Sequence, residues 1–128
     1  MKKIILLIFF AISILNAELI EEIILKKDEV KSLDLFVENV KKTLTFRWTL
    51  YKDRGLVMHL NYDRTPHQFI LYKESLAKNS YKIYLSSINS TQSENPYIRI
   101  YFIDFDDNKK EAKFRYYLFN FNNNIGVM

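Results

Sequence analysis

Between Thr43 and Tyr62 the chain reads TLTFRWTLYKDRGLVMHLNY, and its large apolar side chains fall on alternate positions. Leu44, Phe46, Trp48 and Leu50 alternate with Thr43, Thr45, Arg47 and Thr49, and beyond Gly55 the even set continues as Leu56, Met58, Leu60 and Tyr62. Successive side chains of a strand point to opposite faces, so a period of two makes this stretch a pair of half-buried strands. Asp53-Arg54-Gly55 between them predicts a three-residue hairpin loop, a type I turn closed by a left-handed Gly55 with a bulge. That loop sets Lys52 opposite Leu56, Leu50 opposite Met58, Trp48 opposite Leu60 and Phe46 opposite Tyr62.

Strand signals recur downstream. The segment DRTPH reads as a break in the ladder, because Pro66 has no N–H to donate. QFILYK follows as a short strand whose Phe69-Ile70-Leu71 run points to burial on both faces. SYKIYL sets Tyr81, Ile83 and Leu85 on one side, and INSTQSENP is a polar loop. The stretch ELIEEIILKKDEVKSLDLFVENVKK carries two patterns. It reads as two strands parted at Lys27-Asp28-Glu29, or as one helix with Ile23, Val30, Leu33, Val37 and Val40 near heptad spacing. Alternation in Ser-Leu-Asp-Leu-Phe-Val favours strands. The expected fold class is therefore all-β, a single β-sandwich or barrel-like domain of about seven or eight mainly antiparallel strands. The alternative is an α+β domain with residues 19–42 as a helix on the sheet.

The chain opens MKKIILLIFFAISILNAELI. Lys2 and Lys3, the apolar run from Ile4 to Leu15 and the small Ala17 make the three parts of a cleavable secretory signal. Glu18, Glu21 and Glu22 interrupt the run short of the roughly 20 apolar residues a membrane span needs. The expected organisation is a signal peptide at 1–17, a β domain at 18–121 and a flexible C-terminal tail at 122–128, with no stable membrane span after signal removal. Such a bacterial type of signal sends the protein to the periplasm, with secretion as second choice, and little weight falls on the glycosylation sequon Asn89-Ser90-Thr91. Removing 17 of 128 residues leaves 111, and with Lys2 and Lys3 gone the formal charge falls from +4 to +2. No Lys/Arg cluster remains to track a phosphate backbone, so nucleic acid is not an expected partner. The chain has no cysteine, which excludes lipidation at the cut site and disulfide support. The domain must stand on its apolar core.

In YIRIYFIDFDDNKKEAKFRYYLFNF, residues 97–121, a charged turn from Asp106 to Lys110 divides two strands. Their even face carries Ile98, Ile100, Phe102, Phe114, Tyr116 and Leu118, with no charge until Asp104, and is core. The odd face mixes Arg99 with Tyr97, Tyr101, Ile103 and Phe105, and Arg115 with Tyr117, Phe119 and Phe121. Three readings of it compete: arginines lying over rings, cover from the N-terminal segment, or a platform for a partner or ligand. Its candidate binding residues are Arg99, Tyr101, Arg115, Tyr117 and Phe119.

Catalytic signatures are weak. His59, on the solvent face opposite Thr49, and His67, in the turn after Pro66, have no cysteine or second histidine at ligand spacing, so no metal site and no cofactor is expected. Asp104, Asp106 and Asn108 match the start of a calcium loop, but Lys109 and Arg115 stand where Gly and Glu are required, which leaves a hairpin turn. There is no Gly-x-Ser-x-Gly elbow and, with two glycines in the chain, no phosphate-cradling loop. The carboxylates are scattered, without a pair suited to glycoside hydrolysis. Expectation thus centres on an exported, non-enzymatic interaction module of the cell envelope that docks a protein partner through a sheet edge or the aromatic/Arg face. A second reading is a small-ligand binder (glycan, lipid or peptide) stacking on Tyr97, Tyr101 and Tyr117 in a concave pocket. An enzyme would need His59 or His67 beside an acid in a cleft.

Overall fold

The structure, a computed structural model, describes residues 17–86, 95–119 and 125–127. The expected signal segment up to residue 16, the sequon at Asn89, Phe121 and the Asn122–Asn124 stretch lie outside them. Nine strands run in chain order: β1 (Ala17–Lys26), β2 (Lys31–Val37), β3 (Val40–Lys52), β4 (Gly55–Tyr62), β5 (Thr65–Tyr72), β6 (Ser80–Tyr84), β7 (Tyr97–Asp106), β8 (Glu111–Phe119) and β9 (Ile125–Val127). They form two antiparallel sheets, β1-β8-β7-β6 and β5-β4-β3-β2-β9, packed face to face. Among the described residues there is no helix. The 19–42 helix does not form because its two halves belong to different sheets, parted at Asp28, whose φ is 65° and whose N–H donates to the Trp48 carbonyl at 2.9 Å.

Tight turns build the second sheet. Val37 faces Val40, Lys52 faces Gly55 and Tyr62 faces Thr65, so two residues connect each pair of strands. Glu38-Asn39, Asp53-Arg54 and Asp63-Arg64 all have positive φ, between 50° and 69°. Two central residues with positive φ make a type I′ turn, whose twist matches that of the strands. This corrects the expected three-residue loop. Gly55 is not left-handed, and its need for glycine comes from crowding: a Cβ there would lie 3.0 Å from Cε1 of Tyr72 and 3.1 Å from Cγ2 of Ile70. Gly55→Ala is expected to cost about 1–3 kcal/mol by overpacking, read as a lower urea midpoint. An unshifted midpoint would show that Tyr72 yields freely.

The bulge expected at the turn lies inside β3 instead, at Thr49. Trp48 then faces Met58, Phe46 faces Leu60 and Leu44 faces Tyr62. One extra residue reverses which side the following residues point to. Tyr51 is turned inward, stacked on Phe105 at 3.9 Å, and Leu50 is turned out, 50% exposed. Two further expectations change in β5. Pro66 lies within the strand, opposite Asn61. In a two-residue hairpin the hydrogen-bonded pairs are Tyr62 with Thr65 and Leu60 with His67, so position 66 points to the open side, where the missing N–H removes no bond. Ile70 is 48% exposed while Leu71 is buried, so this strand is covered on one face only. At the other edge of this sheet, within the stretch expected as a tail, Ile125 pairs with Val37 and Val127 with Leu35. Ile125 there packs against the core.

The core joins the two even faces as the alternation predicts. Leu44, Phe46, Trp48, Leu56, Met58 and Leu60 meet Ile98, Ile100, Phe102, Phe114, Tyr116 and Leu118, all buried. Phe46 stands edge-on to both Phe114 and Tyr116 at 5.8 Å. Trp48 donates its indole N–H to the Leu25 carbonyl at 2.8 Å, tying one sheet to the other.

Paired strands are consecutive in the chain except β1 with β8 and β2 with β9. The consecutive strands β1/β2 and β5/β6 meet without pairing, at two seams between the sheets. Where β1 passes to β2, Glu21 ion-pairs with Lys31 at 2.7 Å and accepts the Tyr116 hydroxyl. Those two bonds, Lys31 foremost, hold the Glu21 carboxyl below the usual carboxylate range. Between β5 and β6, the Tyr72 N–H reaches the Lys78 carbonyl at 2.9 Å, His67 Nδ1 lies 3.0 Å from the Tyr81 hydroxyl, and Phe69 stacks on Tyr81 at 3.7 Å. Side chains and one backbone bond, not a ladder, close the two seams.

Candidate interaction face

The ladder of β7 and β8 turns a fixed set of side chains away from the core. Tyr97 faces Phe119, Arg99 faces Tyr117 and Tyr101 faces Arg115. The neighbouring strands widen the set. On β6, Tyr84 faces Tyr97, Lys82 faces Arg99 and Ser80 faces Tyr101. On β1, Leu19 faces Tyr117, Glu22 faces Arg115 and Ile24 faces Lys113. All five residues singled out in the sequence, Arg99, Tyr101, Arg115, Tyr117 and Phe119, therefore share one outer face, each half-buried against its neighbours.

Rings and cations interlock across it. Tyr97 and Phe119 stack at 4.6 Å, Tyr84 meets Tyr97 edge-on at 5.8 Å, and Tyr101 meets Tyr117 edge-on at 5.6 Å. Lys82 Nζ sits 4.6 Å above the Tyr97 ring and 5.2 Å above that of Tyr84. Arg99 donates to Ser80 Oγ at 3.2 Å. Arg115 and Lys113 share Glu22, whose carboxyl they hold low, Arg115 most strongly. The cation over the rings is thus Lys82, where arginine was one of the three expected readings. Nor does the N-terminal segment cover the face. It lies beside β8 in the same sheet and adds Leu19, 50% exposed, and Ile24, 55% exposed.

Phe105 leaves the predicted set. A bulge at Ile103 reverses the side to which the following residues point. Phe105 then turns inward, edge-on to Trp48 at 5.4 Å, and Asp104 turns outward to Lys73 at 2.9 Å. Asp106 Oδ1 accepts the Asn108 and Lys109 N–H groups at 2.9 and 3.0 Å and caps the hairpin turn. The two acids of the calcium-like spacing therefore serve different partners. His59 faces Arg47, one pair away from its predicted neighbour, though its Nε2 still lies 3.1 Å from Thr49 Oγ1. His67 belongs to the seam, not to a turn. Among the described residues no three His, Cys, Asp or Glu side chains gather around a common point.

Two of the larger clefts among the described residues lie elsewhere. One, of about 490 Å³, opens on the outer side of the second sheet among Thr45, Arg47, His59, Asn61 and Gln68. The other, of about 470 Å³, runs along the β5/β6 seam. Neither is lined by Arg99, Tyr101, Arg115 or Tyr117. Lys82, Tyr84, Leu19 and Ile24 were not in the sequence-derived set, because alternation gives the facing of each strand but not its neighbour in the sheet.

No family model, no curated protein and no solved structure matches this chain.

Proposed function

We propose that this chain is an exported, non-enzymatic interaction module of the bacterial cell envelope. Its leader directs it to the periplasm, and the outer face of the β1-β8-β7-β6 sheet docks a protein partner. One observation carries the reading: Tyr84, Tyr97, Tyr101, Tyr117 and Phe119 share three cross-strand rows of that face with Lys82, Arg99 and Arg115, against the single carboxylate of Glu22. Tyrosine and arginine are the residues enriched at the centres of protein interfaces. An aromatic floor with excess positive charge complements an acidic surface carrying apolar groups. A binder of small glycans, lipids or peptides is the second reading, supported by the cleft of about 490 Å³ with its ring of amide, imidazole and guanidinium groups.

The double substitution Arg99→Ala with Tyr117→Ala tests the first reading. Both side chains point away from the core, so the variant should keep its circular-dichroism spectrum and melt near the parent. Crosslinking in intact cells should then lose the captured protein, since two such anchors contribute on the order of 2 kcal/mol each. Capture at the parent level by a well-folded variant would end the outer-face reading. Fractionation of the same tagged chain checks the periplasmic location.

A further inference from the structure

We propose that the β6 edge at the β5/β6 seam takes up a short, extended, acid-bearing peptide segment by strand addition. The phase of the ladder decides which backbone groups are free there. Leu85 N–H donates to the Pro96 carbonyl at 2.9 Å and Phe102 N–H to the Asn79 carbonyl at 2.8 Å. Residues 79, 81, 83 and 85 therefore aim their backbone groups at β7. Ser80, Lys82 and Tyr84 aim theirs the other way, toward β5. β5 does not receive them. Of its seam-facing positions, Pro66, Gln68, Ile70 and Tyr72, the first has no N–H, and beyond the Tyr72–Lys78 bond the two edges carry no ladder.

The interior beneath is already sealed. Tyr81 bonds His67 and stacks on Phe69, and the Tyr62 hydroxyl donates to the Leu85 carbonyl at 2.7 Å. Above that seal runs the cleft of about 470 Å³, with the end of β6 from Lys82 to Tyr84 and the following Leu85 and Ser86 on one wall and Thr65 and His67 on the other. Its lining includes two basic residues, Lys42 and Lys82, against one acidic residue, Asp63, itself 3.5 Å from Lys42. A compact anion would use the charge alone. An extended backbone also matches the donor–acceptor pairs of Lys82 and Tyr84, spaced two residues apart along one edge. At about 3.3 Å per residue that span meets three or four residues of the added strand. The inference takes its biological setting from the docking reading, with the added strand belonging to the same partner, but its chemistry stands on the seam.

The probe is a synthetic hexapeptide, acetyl-Val-Glu-Val-Glu-Val-Glu-amide, titrated into ¹⁵N-labelled full-length protein. The amides of Lys82 and Tyr84 should shift, and their hydrogen exchange should slow at least about tenfold, as a ladder bond requires. A copy N-methylated at every residue should not bind, and a copy with Lys in place of Glu should bind about tenfold more weakly or less. Lys82→Pro removes the seam-facing N–H without breaking a β7 bond and should abolish binding, whereas the Arg99→Ala with Tyr117→Ala variant should bind as the parent does. No binding, equal binding of the N-methylated copy, or untouched Lys82 and Tyr84 amides would overturn strand addition. Equal binding of the Lys copy would overturn the acidic preference. Each leaves the outer-face reading standing, because that is decided by the double variant in cells.

Discussion

Phe46→Ala is expected to lower the stability of this domain by about 3–5 kcal/mol, the range for truncating a buried aromatic whose site cannot collapse. Phe46 is 1% exposed and stands edge-on to Phe114 and Tyr116, so it is the point where the two sheets interlock. Domains of this size hold only about 5–15 kcal/mol in all, and a chain without cysteine has no crosslink to offset the loss. Urea unfolding of Phe46→Ala should thus show a collapsed midpoint. Leu50→Ala, four residues on in the same strand, should lose less than about 1 kcal/mol, since surface substitutions rarely cost more. Equal losses would mean that β3 runs without its bulge at Thr49, and the register described for it would be wrong.

Tyr62→Phe is expected to cost about 1–3 kcal/mol, although it removes a single oxygen. The Leu85–Pro96 pair explains why. In a regular antiparallel pair each residue gives one N–H and takes one. Leu85 donates to Pro96, but Pro96 cannot donate back, so the buried Leu85 carbonyl depends on the Tyr62 hydroxyl. Burial pushes that hydroxyl well above the ordinary phenol range, so it stays protonated and donates. The same logic supplies a rescue. Pro96→Ala restores an N–H facing Leu85, and the cost of Tyr62→Phe in that background should shrink to below about 1 kcal/mol. A double-variant cycle with no coupling between positions 62 and 96 would refute this account.

The period of two was enough to find the core, because each inward set, such as Leu56, Met58 and Leu60 or Ile98, Ile100 and Phe102, is an uninterrupted alternation. It failed at Leu50 and Phe105. In both places a bulge one or two residues earlier reverses the side chains, and nothing in the local sequence marks Thr49 or Ile103 as the extra residue. Turn chemistry misled for a different reason. Glycine is the usual sign of positive φ, yet the left-handed residues are Asp53 and Arg54, and the glycine after them is there for Tyr72. Pro66 read as a break because its consequence depends on which edge it occupies, and edges are settled by the order of strands in a sheet. Arg99, Tyr101, Arg115, Tyr117 and Phe119 were legible as one face, since they belong to a single hairpin. Lys82, Tyr84, Leu19 and Ile24 complete it from strands far away in the chain.

The pairing of β1 with β8 also sets a timetable. β2 to β5 meet through two-residue turns and assemble from contacts that are near in sequence. β1 lies against residues 85 to 102 positions further on. Closing so long a loop is slow compared with zipping a hairpin. During synthesis the earliest strand must wait, unpartnered, until nearly all the rest has emerged. Glu18, Glu21 and Glu22 put charge on that waiting strand, and charge is what blunts an unpaired edge against a wrong partner.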